Sequence, residues 1–310
     1  MSNQPRRSGL AAFDHPYLIL LLTVIFWGGN SVAGKAAVGN IDPYVLITLR
    51  WVGAFLIILP FALRTLAPDL PKIMAKWPLF LFYGAIGFTT FNALIYVAAH
   101  HTSGVNLSLD QVAINIFVMI GNFVAFRVRV RPLQLAGVLI TIVGVAVTAT
   151  HGDLRRLVGL DVNFGDLLVV IACLGYAAYS LLLRYRPATD WKSFIFATFL
   201  VALATALIFQ ATIGGGFGAF ADGLMRITPL GWAIAAYTVI FPSLFSQMLY
   251  VRGVEQIGPN RASLFINLIP LFGAIGSVLV LGESLETFHI VATVLIATGI
   301  VLAEWSARRA

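Results

Sequence analysis

Apolar residues along this chain are grouped in long runs that short polar segments separate. Ten runs are long enough to form the roughly 20 residues of helix that cross a hydrocarbon core about 30 Å thick. Several runs begin at a proline, such as Pro43, Pro132 or Pro229, where the missing N–H costs a helix nothing. The pattern predicts an all-α integral membrane protein with helices over 16–37, 43–64, 78–99, 103–126, 131–150, 165–185, 191–212, 229–252, 259–281 and 286–305.

Composition supports a chain surrounded by lipid. Of the 310 residues, 59% are hydrophobic and 11% are charged, whereas a soluble domain carries about 25% charged residues. A soluble globule could not bury that much apolar surface. The polar connections 65–77, 151–164 and 213–228 are too short to fold alone, and Gly214–Gly216 predicts a flexible loop. The single cysteine, Cys173, excludes an intrachain disulfide, and we expect neither a metal nor another cofactor.

The distribution of lysine and arginine predicts the orientation. The net charge of +7 comes from short clusters between the apolar runs, so we do not expect a nucleic-acid partner. With both termini cytoplasmic, fifteen basic residues fall in inside segments and four in outside segments. This bias predicts an even number of crossings in a bacterial-type plasma membrane. We expect residues 1–15 to be a cytoplasmic N-terminal segment, the first apolar run to be a retained helix and not a signal peptide, and residues 306–310 to be a cytoplasmic tail.

An internal repeat divides the chain into two groups of five predicted helices. The segment 96–116 aligns without gaps on 250–270, so that Tyr96 meets Tyr250 and Gly104 meets Gly258. We therefore expect repeats over 16–150 and 165–305, joined by the loop 151–164. Because five is odd, the second repeat enters the membrane inverted, which is an architecture of many secondary transporters. A duplicated scaffold without transport is the structural alternative.

The residues that open the first half and close the second resemble those of a known family. The first half carries Trp27-Gly28, Asn30, Lys35, Pro43 and Arg50. The second half carries Gly258, Asn260-Arg261-Ala262-Ser263, Pro270-Leu271-Phe272, Gly282-Glu283 and Gly299. In order and spacing they are similar to the ten-helix EamA-type transporters of the drug/metabolite transporter superfamily.

The resemblance has two departures, both in the first half. Asn115-Ile116-Phe117 stands where that family has a proline inside the fourth helix, and Arg129-Val130 stands where it has Gly-Glu. The resemblance implies alternating-access transport of small amphipathic metabolites, most simply the export of amino acids, including aromatic or other hydrophobic ones. It also implies a central cavity between helices 1, 3, 4, 6, 8 and 9, with the fifth and tenth predicted helices at the periphery. A multidrug or other metabolite exporter of the superfamily is the alternative.

Arg50 and Asp110 are charged residues deep inside predicted helices, where charge is costly and marks function. Arg50 and Asp110 each follow a helix start by seven residues, so they are expected at similar depth. Three interpretations stay open. The two side chains form a structural or gating pair, Arg50 binds a substrate carboxylate in bidentate fashion, or Asp110 takes up a proton.

Amide and aromatic side chains within the predicted helices are candidates for the cavity wall, because amides can bind a zwitterion and rings give an apolar surface. We expect about half of them to contact the cavity; the others fit interfacial or packing roles. The candidates are Trp27, Asn30, Tyr83, Asn92, Tyr96, Gln111, Asn115, Tyr176, Tyr179, Gln247, Tyr250 and Asn267. Pro242 and Pro270 lie within predicted helices and are expected to kink them, as a hinge or statically, because each frees a backbone carbonyl.

Other classes of function fit less well. An intramembrane enzyme needs paired acids, a Ser–His pair or metal ligands, and the sequence offers one deep acid and no zinc or phosphate-loop motif. A channel would also use polar-lined helices. We expect a non-enzymatic carrier whose partners are its small-molecule substrate and the lipid bilayer. One chain is expected to suffice, although an oligomer stays open.

Overall fold

The computed structural model describes residues 15–127, 132–153, 163–257 and 265–308. All regular structure in those ranges is helical. The eleven helices, numbered in chain order, are α1 Pro16–Ala37, α2 Pro43–Ala75, α3 Trp77–Ala98, α4 Gly104–Phe126, α5 Pro132–Ala149, α6 Phe164–Tyr185, α7 Trp191–Thr212, α8 Gly216–Arg226, α9 Pro229–Val254, α10 Ile269–Leu281 and α11 Thr287–Arg308.

Seven of the described helices are long and apolar enough to cross a membrane. They are α1 to α4, α6, α7 and α9. Shorter apolar stretches occur in α5, α10 and α11, at the positions of the fifth, ninth and tenth predicted helices. Large apolar side chains such as Leu279 and Val280 are exposed on the outside of the bundle. This surface is what a lipid environment requires, since no water-soluble protein exposes so many such residues together.

Two connections differ from the sequence prediction. The segment 65–77, predicted to be polar loop, is mostly helix, because α2 continues through Pro68 and Pro71 to Ala75. Asp69 in this extension accepts hydrogen bonds from Lys72 and from the backbone N–H of Asp190, which holds the helix end against the α6–α7 connection. The segment 213–228, predicted to be a polar connection with a flexible loop at Gly214–Gly216, contains the helix α8, which begins at Gly216.

The helices of the two sequence halves are interleaved. α1 packs against α9 and α10, and α6 packs in the equivalent way against α3 and α4. α2 pairs with α7, and α5 pairs with α11 away from the main core. Under the alignment of Tyr96 with Tyr250, the π-helical stretch Tyr83–Thr90 of α3 falls on residues 237–244. A second π-helical stretch, Val239–Phe245 of α9, occupies almost that segment. The two halves therefore share a local irregularity as well as a packing scheme.

Glycine allows α1 and α10 to approach each other at backbone distance. A Cβ atom on Gly28 would lie 2.8 Å from the backbone nitrogen of Gly273 and 3.0 Å from the carbonyl oxygen of Ile269. Neither backbone atom can move without its helix, so only glycine permits this contact. The close approach brings the polar face of α1 next to the start of α10.

The two ends of the bundle are named here by a residue that each contains. The Asn40 end carries the connections after α1, α3, α7 and α10, and hydrogen bonds join the halves there. Thr228 donates to Asn40 through both its hydroxyl and its backbone N–H. The carboxylate of Glu283 accepts from the N–H groups of Gly104 and Val105 at 2.8 and 2.9 Å. The Asp69 end carries the connections after α2 and α6.

Candidate functional site

Arg50 is the centre of a buried polar cluster between four helices. Its side chain is 4% exposed. Nε donates to the Ser243 hydroxyl of α9 at 2.9 Å. Nη1 donates to the side-chain oxygens of Asn30 in α1 at 2.7 Å and Asn92 in α3 at 2.8 Å, and also to the Tyr96 hydroxyl. The cluster thus joins both halves of the chain around one guanidinium.

The partners of Arg50 are also bonded to one another. Asn30 donates its amide N–H to Asn92 at 3.1 Å, and the Tyr96 hydroxyl donates to Asn30 at 3.0 Å. The amide of Asn92 is oriented by its bond to the Phe88 carbonyl at 2.8 Å. These bonds turn three oxygen atoms towards Arg50 and fix its position, which is the preorganisation that a binding group needs.

The charge of Arg50 has no acidic counterpart in the described part of the chain. The one ion pair found there joins Lys72 to Asp69, at the Asp69 end. Nη1 makes three hydrogen bonds, whereas none of the described residues accepts one from Nη2. A buried cation without an anion is costly unless water or a bound anion neutralises it. The free nitrogen of the guanidinium is therefore available to an incoming negative group.

Pro242 explains how α9 supplies Ser243 to this cluster. Proline has no N–H, so a carbonyl in the preceding turn loses its helical partner. In the π-helical stretch the Ser243 hydroxyl donates its hydrogen to the Thr238 carbonyl at 2.8 Å. Because that hydrogen is used, the lone pairs of the same oxygen are left to accept the hydrogen bond from Arg50. The Trp27 indole N–H donates to the Pro242 carbonyl at 3.1 Å. The irregular backbone is satisfied by side chains that also shape the site, as such segments must be within a membrane.

Arg50 forms part of the wall of a central cavity with one polar region and several aromatic walls. The cavity, including the part that is open to the surroundings, has a volume of about 640 Å³. The cavity is narrow, because the centre of a water molecule can occupy only about 70 Å³ of it. That room suits a few waters, so a metabolite would require the helices to move apart. The polar lining is Asn30, Arg50, Asn92, Gln111, Ser243 and Gln247. The aromatic lining is Trp27, Trp51, Phe88, Phe91, Tyr176 and Phe199.

Comparisons with known proteins identify the chain at the level of family. The model of the EamA-like transporter family matches twice, over residues 15–150 and 163–305. The chain belongs to the EamA-like transporter family. The uncharacterized transporter YyaM of Bacillus subtilis is 25% identical over 288 residues, covering 93% of this chain and 92% of its own length. An uncharacterized transporter of Archaeoglobus fulgidus is 22% identical, with 92% of this chain and 96% of that protein covered.

A protein of known crystal structure has the same fold. It aligns with a TM-score of 0.60 at 17% identity, covering 95% of this chain and 98% of that one. Together these findings make the protein a multi-pass membrane transporter and not an enzyme, with a duplicated EamA domain. They confirm the resemblance seen in the sequence and leave the substrate undefined.

Six of the twelve predicted wall residues of this EamA transporter line the cavity. They are Trp27, Asn30, Asn92, Gln111, Tyr176 and Gln247. Tyr96 lies behind Asn30 as a ligand of Arg50. The other five predicted residues lie outside the cavity lining. Asn115 and Asn267 are joined by a hydrogen bond in which the Asn115 amide donates at 2.6 Å. The Tyr250 ring packs against Trp27, with 5.4 Å between the ring centroids, and Tyr83 and Tyr179 pack edge to face.

Three expectations about the site residues need correction. The Arg50–Asp110 pair does not form, because Arg50 binds amides and hydroxyls while neither carboxylate oxygen of Asp110 has a hydrogen-bond partner among the described residues. Pro270 does not kink a helix interior, since a turn at 267–268 precedes α10 and the proline lies in its first turn. Asp110 is not the lone deep acid, because Asp166 lies beside it.

Ser243 and part of the aromatic wall are cavity residues that were not among the predicted ones. Trp51, Phe88, Phe91 and Phe199 look in sequence like lipid-facing residues, because apolar side chains suit either position. Trp51 follows Arg50 directly, and its ring lies 5.1 Å from the guanidinium carbon. An aromatic residue next to a buried cation is a signal for cation–π contact that could have been used.

Proposed function

We propose that this transporter carries small amphipathic carboxylates, above all amino acids with aromatic or other hydrophobic side chains, out of the cell. The observation that supports the proposal is Arg50, a buried cation without an acidic partner in the described chain, at the edge of an aromatic-lined cavity. A guanidinium binds a carboxylate through charge-assisted hydrogen bonds, and Nη2 of Arg50 can donate them while Nε and Nη1 keep their present partners. The aromatic wall offers the apolar surface that the rest of such a molecule needs.

The amide groups complete the recognition of a zwitterion. Gln111 and Gln247 line the same cavity as Arg50 and present carbonyl oxygens or N–H groups without a fixed charge. A substrate ammonium group can bind those oxygens, while its carboxylate binds Arg50. This arrangement favours amino acids over cationic drugs, because the positive charge of Arg50 repels a cation and none of the described carboxylates pairs with it.

We infer that the chain crosses the membrane ten times, as two inverted repeats with both termini in the cytoplasm. Support comes from the duplicated family match, the excess of basic residues in alternate connections, and the equivalent π-helical stretches of α3 and α9. In this orientation the Asn40 end faces the outside. Inverted repeats allow alternating access by exchange of the two conformations, and the narrow cavity fits an occluded stage of that cycle. One chain encloses the cavity, so we propose that a monomer is sufficient.

Counterflow in proteoliposomes tests the function. Vesicles containing the purified full chain are loaded with one unlabelled amino acid at high concentration, and uptake of the labelled form is measured for a panel of amino acids and one cationic drug. We expect transient accumulation of hydrophobic amino acids, which a channel cannot produce. If the drug accumulates and no amino acid does, the proposed substrate class is wrong, and the multidrug alternative is favoured.

A further inference from the structure

Two acidic side chains, Asp110 of α4 and Asp166 of α6, are buried next to each other outside the cavity. Both are 0% exposed, and they lie near enough for each carboxyl group to influence the ionisation of the other. Among the described residues, neither oxygen of Asp110 and only one oxygen of Asp166 has a hydrogen-bond partner. That partner is the amide of Asn106, at 3.4 Å. Two carboxyl groups in such a place do not both ionise, so the pair must hold a proton.

The surroundings show which acid holds it. Asp166 lies in the first turn of α6, where the helix dipole favours a negative charge. It also accepts the hydrogen bond from Asn106. Asp110 lacks both advantages, since it lies within α4 and no described residue donates to it. The proton therefore belongs on Asp110, whose O–H can donate to the Asp166 carboxylate.

The Thr102 hydroxyl lies beside this pair. Thr102 is 6% exposed, and its hydroxyl is near enough to Asp166 to interact with the carboxylate, although no described residue makes a hydrogen bond of good geometry with it. Asp110 likewise receives no hydrogen bond from any described donor. Polar groups that are buried and incompletely bonded suit a site whose hydrogen bonds change when a proton is gained or lost.

A chain of polar groups connects the pair to the Asn40 end. Nδ1 of His289 accepts from the N–H of Glu286 at 3.0 Å, so Nε2 carries the hydrogen and donates to Asn106 at 3.1 Å. Asn106 in turn donates to Asp166. His289, Glu286 and Thr102 line an open cleft at that end. The amide of Asn106 orients the Asp166 carboxylate and does not itself carry protons, so a proton from the cleft reaches the pair past Thr102, which lines the cleft and lies beside Asp166.

The pair is also connected to the cavity, through the backbone. Asp110 begins a 3₁₀ turn, Asp110–Val112, inside α4, and such turns within a helix often mark hinges. Gln111 in this turn reaches the cavity and donates to the Ser31 hydroxyl at 2.7 Å. Beside the turn, the Cys173 thiol lies 3.8 Å from the Asp110 carbonyl, one helical turn before Tyr176 of the cavity wall.

We propose that Asp110 and Asp166 form the proton-binding site of this transporter, and that a proton entering from the Asn40 end drives the substrate movement. The pair holds either one proton or two. The second proton binds while the pair is open to the Asn40 end, and it leaves after the conformational change that moves the substrate has opened the pair to the opposite side. This rests on the carrier function proposed above and supplies its coupling ion. The ionisable groups around the pair, from every helix packed against it, are Lys35, His151, Cys173, Glu283, Glu286 and His289.

A proton is favoured over a metal cation as the ligand. Among the described residues, no group of three or more His, Cys, Asp or Glu side chains could hold a metal ion. A sodium ion, which would use oxygen atoms alone, is left as an outcome of the test. Replacement of either acid by asparagine keeps the shape of the side chain and removes one of the two carboxyl groups of the pair.

Infrared spectroscopy of the purified full-length protein, without substrate, tests the site directly. We expect the C=O band of a protonated carboxylic acid near neutral pH, shifted in D₂O and changing with pH. Asp110→Asn and Asp166→Asn should each weaken this band and change the pH at which it appears, because one carboxyl group of the pair is lost and the other loses its acidic neighbour. Asp222→Asn, at an exposed position of α8, is the matched control and should leave the band unchanged. A band that is unchanged in both acid-pair variants, or that responds to Na⁺ and not to pH, overturns the proposal.

Proteoliposomes test the coupling with whichever amino acid the counterflow panel identifies. A gradient of about one pH unit should support up to about tenfold accumulation if one proton moves with each substrate. Asp110→Asn and Asp166→Asn should each reduce this to no accumulation, while the Asp222→Asn control should accumulate the substrate as the unmodified protein does. Accumulation that persists in both acid-pair variants refutes the coupling role. If no amino acid is transported at all, the proposed substrate is wrong, and the infrared result still decides the proton site.

Discussion

Ser243 should contribute more to the free energy of unfolding than an ordinary buried serine, because its hydroxyl makes hydrogen bonds to two buried groups, and no other side chain among the described residues bonds the same two atoms in its place. Its hydroxyl is 2% exposed; it accepts from Arg50 at 2.9 Å and donates to the Thr238 carbonyl at 2.8 Å. In Ser243→Ala both partners lose a bond, at about 1–3 kcal/mol for each buried group left unsatisfied. Water in the cavity can replace part of the bond to Arg50, so we expect a loss of about 2–4 kcal/mol.

Cys173 provides the assay for this prediction, since it is the single cysteine and is fully buried. A thiol-reactive fluorescent dye reports its exposure as purified protein is heated in detergent. The predicted loss corresponds to a melting temperature lower by roughly 4–10 °C. Ser180→Ala is the control, because the Ser180 hydroxyl only returns a bond to the Tyr176 carbonyl of its own helix, and its loss should cost under about 1 kcal/mol. Equal melting temperatures of the two variants would refute the role of Ser243 as a bridge.

Three further predictions use the same thermal assay. Gly28→Ala should destabilise by about 1–3 kcal/mol by separating α1 from α10, while Gly218→Ala, whose Cβ meets nothing within 4 Å, should be near neutral. Asp42→Ala should cost about 1 kcal/mol by removing the side-chain cap on the N–H groups of Tyr44 and Val45, and Asp42→Asn should restore most of it. Burial, His101 and Lys35 lower the pKa of His100, so the unfolded chain binds its proton more readily than the folded one, and this contribution to stability falls as the pH drops below about 6.5. His100→Gln should therefore lose less stability than the unmodified protein between about pH 7.5 and about pH 5.5; equal losses would contradict the assignment.

The helices were predictable because lipid imposes a length on any segment that crosses it. The predicted starts at Pro43, Pro132 and Pro229 agree with helix starts in the structure. The extension of α2 was not predictable in the same way. It continues past Pro68 and Pro71 because Asp69 finds a tertiary partner in another connection, and such contacts leave no pattern in the sequence.

The charged residue at the centre of the site could be predicted from the sequence, whereas the contacts that its neighbours make with it could not. Arg50 stood out because a charge inside an apolar run is rare. Its partners Asn30, Asn92 and Tyr96 were among the candidates, but their joint contact with one guanidinium depends on the packing of three helices. Asp166 was missed because an acid in the first turn of a helix has an ordinary explanation in the helix dipole. Only the fold brings it beside Asp110.

Competition between an amino acid and its decarboxylated amine, in the unmodified protein and in Arg50→Gln, tests the central role of Arg50 most directly. The assay is inhibition of labelled amino-acid counterflow in proteoliposomes, with the Cys173 dye confirming that the variant is folded. The unmodified protein should bind the amine at least about tenfold more weakly, since a charge-assisted hydrogen bond contributes about 1.5–3 kcal/mol. Arg50→Gln should bind both compounds about equally. Equal binding by the unmodified protein, or undiminished discrimination in Arg50→Gln, would contradict the assignment of Arg50 as the carboxylate-binding group.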